Sequence, residues 1–209
     1  MDNIKFKRIM AYLIDIFIIS LLTSLLAGVK FINPNRAKME STYKEYNEYA
    51  EKLVNTNTTD VTQMLEDGEY GDLFYKVSYY SMSLSITEIV VMILYFTLFP
   101  FFYDGQTIGK RLMKIKLVSK DENKVKFYKL LLRSLIVPVS ASLMMYTVGS
   151  NILVTLLLFV IKGMKYLYAS VAINLLITVF CYADIISMLS NKEQLSLHDK
   201  ILKTKVITC

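Results

Sequence analysis

Four long apolar runs constrain this chain more than any other feature. Ile9–Val29 holds 21 residues and one charge, Asp15. Met82–Tyr103 holds 22 and one charge, Glu88. Leu135–Ile161 holds 27 with none, and Leu167–Leu189 holds 23 with one, Asp184. A helix needs about 20 apolar residues to cross the hydrocarbon core of a bilayer. A water-soluble core would interrupt such runs with a polar stripe at every turn. The runs therefore predict four transmembrane helices, at about 9–29, 82–103, 135–161 and 167–189. Pro138 and Gly149 make the third a candidate for a kink or a partly interfacial start. Composition agrees: 54% of the 209 residues are hydrophobic and 20% are charged. This excludes a disordered chain, and the apolar excess argues against nucleic-acid binding.

The first run has a basic lead of Lys5, Lys7 and Arg8. It is too long for a signal peptide and lacks a small-residue cleavage site, so an uncleaved helix is expected. The segment 30–81 carries six Lys/Arg and nine Asp/Glu, whereas 104–134 carries nine against three. Basic excess marks the cytoplasmic side. Both termini and 104–134 are thus expected inside, with 30–81 outside. The third and fourth helices then form a hairpin with an outer turn near Lys162–Tyr166. Its two lysines run against the rule. The chain has no tryptophan. Tyr79 and Tyr80 outside and Phe101, Phe102 and Tyr103 inside are its expected interfacial anchors.

Outside, Tyr43, Tyr46, Tyr49 and Leu53 recur at helical steps, predicting an amphipathic helix over Lys38–Leu53. A Thr/Asn-rich break follows, and Asp60 is placed to cap a second helical stretch. Asn57-Thr58-Thr59 matches a glycosylation triplet by chance in a Lys-, Asn- and Ile-rich, bacterial-looking chain. The loop reads either as a solvated cap or as a docking surface. Inside, Lys114–Val118 and Lys124–Phe127 alternate charged and apolar residues around a turn at Ser119–Asn123, predicting a β-hairpin. Gly105–Lys110 has the wrong spacing for a phosphate loop, and no strand precedes it. It reads as a glycine turn at the membrane surface, where the basic run can hold anionic lipid head groups. Cys181, Cys209 and the single His198 form no disulfide framework or metal set.

Three motifs in order resemble the RDD family of bacterial membrane proteins. They are Arg8-Ile-Met-Ala-Tyr-Leu-Ile-Asp15, Gly105-Gln-Thr-Ile-Gly-Lys-Arg111 with Ile115–Val118 and Leu132-Arg133, and Leu197-His198-Asp199-Lys200-Ile201 continuing to Val206. The resemblance spans nearly the whole chain; the 30–81 loop stands out as an insertion. It implies that Arg8 and Asp15 are the family's named Arg and first Asp. Asp199 is the leading choice for the second, and Asp104 the other. It marks Asp104, Gly105, Thr107, Gly109, Lys110, His198 and Asp199 as motif positions. The implied activity is transport, with sodium/proton exchange among the roles proposed for such proteins.

Ionisable groups inside spans are costly and point to function. At about 1.5 Å per residue, Asp15 and Asp184 fall at similar depth near the inner face. Arg133 is expected to pair with them. Arg8 shares a helix face with Asp15 but leans toward the helix N-terminus, so Asp15 is expected to find its partner on another helix. Glu88 and Asn174 fall at a common outer level, with Ser85 and Thr178 within a turn. Two readings stay open. Arg8, Asp15, Glu88, Arg133, Asn174 and Asp184 form a proton or cation path, or they lock helix packing while Glu88 snorkels outward.

The expectation is an all-α integral membrane protein of one domain in a bacterial cytoplasmic membrane. It has four spans and a small cytoplasmic hairpin. Its function is transport of a small ion or solute, or else a non-transporting scaffold or assembly factor. No enzyme activity and no cofactor are expected. The partners are the bilayer, anionic lipids on the basic segment and further copies of the chain, with no nucleic acid.

Overall fold

The computed structural model describes residues 4–55, 67–121, 124–138, 145–191 and 193–209. Three helical stretches are long and apolar enough to cross a membrane: Ile4–Ala27, Gly68–Phe102 and Gly163–Ser190. The first is α1. The second is compound. It runs as α3 (Gly68–Ile93), a π-helical turn (Leu94–Leu98) and α4 (Phe99–Phe102). The third is α8 (Gly163–Ser190). Leu13, Phe17, Leu21 and Leu25 on α1, and Leu175, Leu176 and Val179 on α8, stay exposed on the protein's own surface. Exposed apolar faces of this extent fit a hydrocarbon surround.

The third apolar run is not one helix. It resolves into α6 (Phe127–Ile136) and α7 (Val148–Leu157), ten residues each, with residues 139–144 outside the description. Each is about 15 Å long, half a bilayer core. Pro138 lacks an N–H and keeps Val137 extended (φ −62°, ψ 132°), which stops α6. Thr147 and Ser150 form a capping box that starts α7. Pro138 and Thr147 meet in an antiparallel bridge. α6 lies at the end of the bundle that holds both termini, where Phe127 stacks edge-on against Phe101. α7 reaches the opposite end, where Tyr75 donates to the Leu158 carbonyl. The turn into α8 lies at Leu158–Lys162, ahead of the expected Lys162–Tyr166, because the helix already begins at Gly163.

The expected β-hairpin is corrected. β1 (Ile115–Ser119) forms where alternation predicts, but its partner is β2 (Thr204–Thr208), not Lys124–Phe127. The pairing is antiparallel, with Leu117 opposite Val206. Residues 124–126 are not strand, and α6 begins at Phe127. The physical reason is burial. Pairing with the C-terminal strand places Ile115, Leu117 and Val206 in one apolar cluster with Ala11, Val125 and Leu130. A local hairpin of two or three residues would bury far less.

α2 (Arg36–Asn55) covers the expected amphipathic helix. It packs on the start of α3, where the Tyr46 and Tyr70 hydroxyls meet at 2.5 Å and Tyr49 donates to Asp67. Asp67 also caps α3 by accepting from the amides of Glu69 and Tyr70. Because α3 begins at Gly68, the segment before it is shorter than the expected 30–81 loop. Asn57, Thr58, Thr59 and Asp60 lie outside the described residues, as do Glu122 and Asn123 of the expected turn.

Candidate functional site

At the end that holds both termini, the chain after α8 folds back under the helices as α9 (Leu197–Leu202), then β2. Ser196 and Asp199 form a capping box that starts α9, and Lys203 ends it in the left-handed region. Asp199 is fully buried and is the hub. Arg8 donates to its Oδ2 at 2.6 Å and Arg133 to its Oδ1 at 2.5 Å. Arg8 also reaches the Gln194 carbonyl, and Arg133 the Thr204 hydroxyl. Burial alone would raise the Asp199 carboxyl, but the charges of Arg133 and Arg8 and the hydrogen bond from Arg133 hold it well below the usual carboxylate range. Arg8 therefore meets Asp199, not Asp104, which pairs with Lys116 at an exposed site.

The expected pairing of Arg133 with Asp15 and Asp184 is corrected. The folded-back tail brings Asp199 into reach, and its carboxylate takes both guanidiniums. Asp184, buried on α8, instead accepts from the His198 backbone amide at 2.9 Å, and both of its oxygens lie 2.8 Å from His198 Nδ1. Burial, then the nearby Arg133 charge, push His198 below its ordinary value, against the pull of Asp184 and Asp199. The imidazole is thus a neutral donor to Asp184 at neutral pH.

Asp15 does find its partners away from α1. The Tyr95 hydroxyl donates to Oδ1 and the Thr107 hydroxyl to Oδ2, each at 2.6 Å; the Gly109 amide donates to Oδ1 at 2.8 Å. The π-helical turn supplies Tyr95, and a π turn in a long helix often re-aims side chains at functional sites. Thr107 caps α5 (Ile108–Leu112), which lies against α1. Any Cβ at position 109 would run into the Ala11 carbonyl, so only glycine allows this approach. Gly105, at φ +81°, makes the turn before it and accepts from the Leu117 amide. Gly105 thus makes the expected turn, but Ile108–Lys110 already belong to α5, and the anion that Thr107 and Gly109 meet is the protein's own Asp15.

The expected outer layer does not assemble as one group. Glu88 accepts from the Tyr146 hydroxyl at 2.7 Å. Asn174 donates within its own helix to the Ser170 carbonyl, and Ser85 to Ser81. Thr178 caps the Met145 carbonyl in the break between α6 and α7. Tyr95, Tyr146, Ser196 and Thr204 escape sequence reasoning because hydroxyls inside apolar or tail segments carry no spacing signal.

Between these groups lies a cavity of about 350 Å³, in the size range of small-molecule sites. Arg8, Lys110, Arg133, Asp15, Asp184 and His198 line one part of it. Apolar side chains of α1, α8 and the α6–α7 break line the rest. Among the described residues no set of three His, Cys, Asp or Glu is placed to hold a metal. The carboxylates facing the cavity already accept bonds from the chain. Lys110 differs, since its ammonium has no hydrogen-bond or ion-pair partner among the described residues. Burial, then Arg133, lower it to about 8 against the pull of Asp15. The arrangement can hold a solute and can release or take up a proton at Lys110.

Comparison with curated proteins and with solved structures gives no match. The model of the RDD family matches residues 5–203, nearly the whole chain. With apolar helices of spanning length and the Arg8, Asp15 and Asp199 motifs converging at one end, the chain is a membrane protein that belongs to the RDD family.

Proposed function

We propose that this protein moves a small ion or solute across a bacterial cytoplasmic membrane, with the cavity as its binding chamber. The observation that carries the reading is the broken segment α6–α7. Irregular backbone at membrane depth is costly unless it is buried in protein or lines a cavity. Here Val137, Pro138 and Met145, on either side of the break, line the cavity with the ionisable groups. Discontinuous helices beside a polar chamber recur in transporters. On this reading α6 and α7 together make the fourth crossing. The basic end that holds both termini faces the cytoplasm. Proton exchange is assigned to Lys110, which keeps cation/proton exchange within the same scheme.

The test is flux in proteoliposomes. Wild-type protein is expected to dissipate or couple an imposed H⁺, Na⁺ or K⁺ gradient, and Lys110→Met to slow it at least tenfold. Rates equal to protein-free liposomes across all three gradients sink the exchanger reading. A Lys120→Cys variant labelled from outside sinks the orientation. A second reading, a non-transporting scaffold, draws on the α2–α3 hairpin with its half-exposed Tyr43 and Tyr79. Copurification of a partner in mild detergent, lost when α2 is deleted, supports it.

A further inference from the structure

The ionisable side chains that line the cavity all have direct hydrogen-bond or ion-pair partners, with one exception. Arg8 and Arg133 share Asp199. Asp15 takes three donors, and Asp184 takes the His198 amide and ring. The Lys110 ammonium alone makes no direct hydrogen bond or ion pair among the described residues; Asp15 and Asp199 act on it only through their field. A desolvated ammonium without a partner is costly, so the site favours an anion there.

The opposite wall is apolar and leads outward. Ile9 and Leu13 line the cavity, yet they are 40% and 43% exposed on the outer face of α1. Ile185 and Met188 of α8 line it from the other side, while α1 and α8 make little direct contact. The cavity therefore opens laterally between α1 and α8, toward the surface that hydrocarbon covers.

We propose that the cavity takes one amphiphile with a single anionic head, a carboxylate or phosphate ester, seated on Lys110, and an apolar chain leaving between α1 and α8. This deepens the transport reading by naming a ligand class, and it rests on the same cavity. A head group alone leaves the apolar wall unfilled, and an uncharged chain leaves Lys110 unmatched. Both halves are required.

The experiment uses the full chain in a neutral maltoside detergent. Unfolding is followed by labelling of the buried Cys181 thiol. Dodecyl phosphate and dodecanoate are expected to delay labelling to higher temperature. Dodecanol, dodecyltrimethylammonium and inorganic phosphate are expected to have little effect. Lys110→Met should weaken apparent affinity for the anionic amphiphiles at least tenfold, and Lys110→Arg should retain most of it. Equal response of wild type and Lys110→Met, or of dodecanol and dodecyl phosphate, overturns the proposal. Should Lys110→Met fail to fold, Leu13→Trp, which fills the apolar exit from an exposed position, must weaken binding, and unchanged affinity overturns the proposal. Retention of phosphatidylglycerol in native mass spectra, lost in the same variants, assigns the head to a membrane lipid. Displacement of that lipid by dodecanoate alone assigns it to a free amphiphile. Amphiphile binding without flux removes the transport reading and leaves this one standing; flux that Lys110→Met slows, with no amphiphile binding, does the reverse.

Discussion

The two ends of the molecule use the same charged residue types in opposite ways. On α2, Arg36 pairs with Glu40 and Lys44 with Glu48, each four residues along one helix, with every side chain more than half exposed. At the other end Arg8 and Arg133 close on a fully buried Asp199, the first pair 191 residues apart. Exposed pairs gain little because water and salt screen them. Buried charges are costly to leave alone, so they pair, and the pairing fixes which segments meet. The contrast teaches that the buried cluster is a clasp. It ties the start of α1, the end of α6 and the C-terminal tail together around the cavity.

The sharpest way to break the contrast is Asp199→Asn. It leaves two buried guanidiniums without a countercharge, and about 3–5 kcal/mol of stability should be lost. Chemical unfolding in detergent measures it, and a loss no greater than that of an exposed pair removes the clasp. Asp15→Asn comes next. The amide presents a donor to a site built of donors, and a loss of about 1.5–3 kcal/mol is expected, with α5 lifting from α1. Hydrogen exchange at the Gly109 amide reports it, and unchanged protection contradicts the cradle.

Acid sharpens the comparison further. The folded chain holds His198 below its usual 6.5, so as pH falls through 6.5 the unfolded chain takes up the proton first. The stabilisation is complete above that pH and declines below it, toward the folded value. Asp199, depressed well below 3.8, acts with the same sign at lower pH. Its contribution is present above 3.8 and lost as pH falls through its folded value. Unfolding midpoints should drop between pH 7 and 5, and His198→Gln should flatten that slope. The smallest effect is Glu40→Gln on α2, expected at about 0.3–0.5 kcal/mol and fading in salt.

Much of the framework was legible because it depends on composition. Apolar runs longer than a bilayer mark Ile4–Ala27, Gly68–Phe102 and Gly163–Ser190 wherever they pack. The tyrosine spacing on α2 and the alternation of β1 are local patterns with local causes; Pro138 marked a kink, and the full stop there was not legible. The motif residues Arg8, Asp15, Gly109, Lys110 and Asp199 were also visible. Their pairing was not. Depth along separate helices brings Arg133 level with Asp15 and Asp184, but it says nothing of a tail that folds back between them.

By itself, then, the sequence determined that this chain enters a membrane and which few charges go with it. Transfer from water to hydrocarbon is a property of each residue run. Only the tertiary structure decided that β1 pairs with the C-terminus and that Asp199 takes both arginines. It alone left Lys110 facing a cavity without a hydrogen-bond or ion-pair partner among the described residues. Those outcomes depend on which distant groups come within about 3 Å of each other, and buried hydrogen bonds and ion pairs form only between groups that the whole fold brings together.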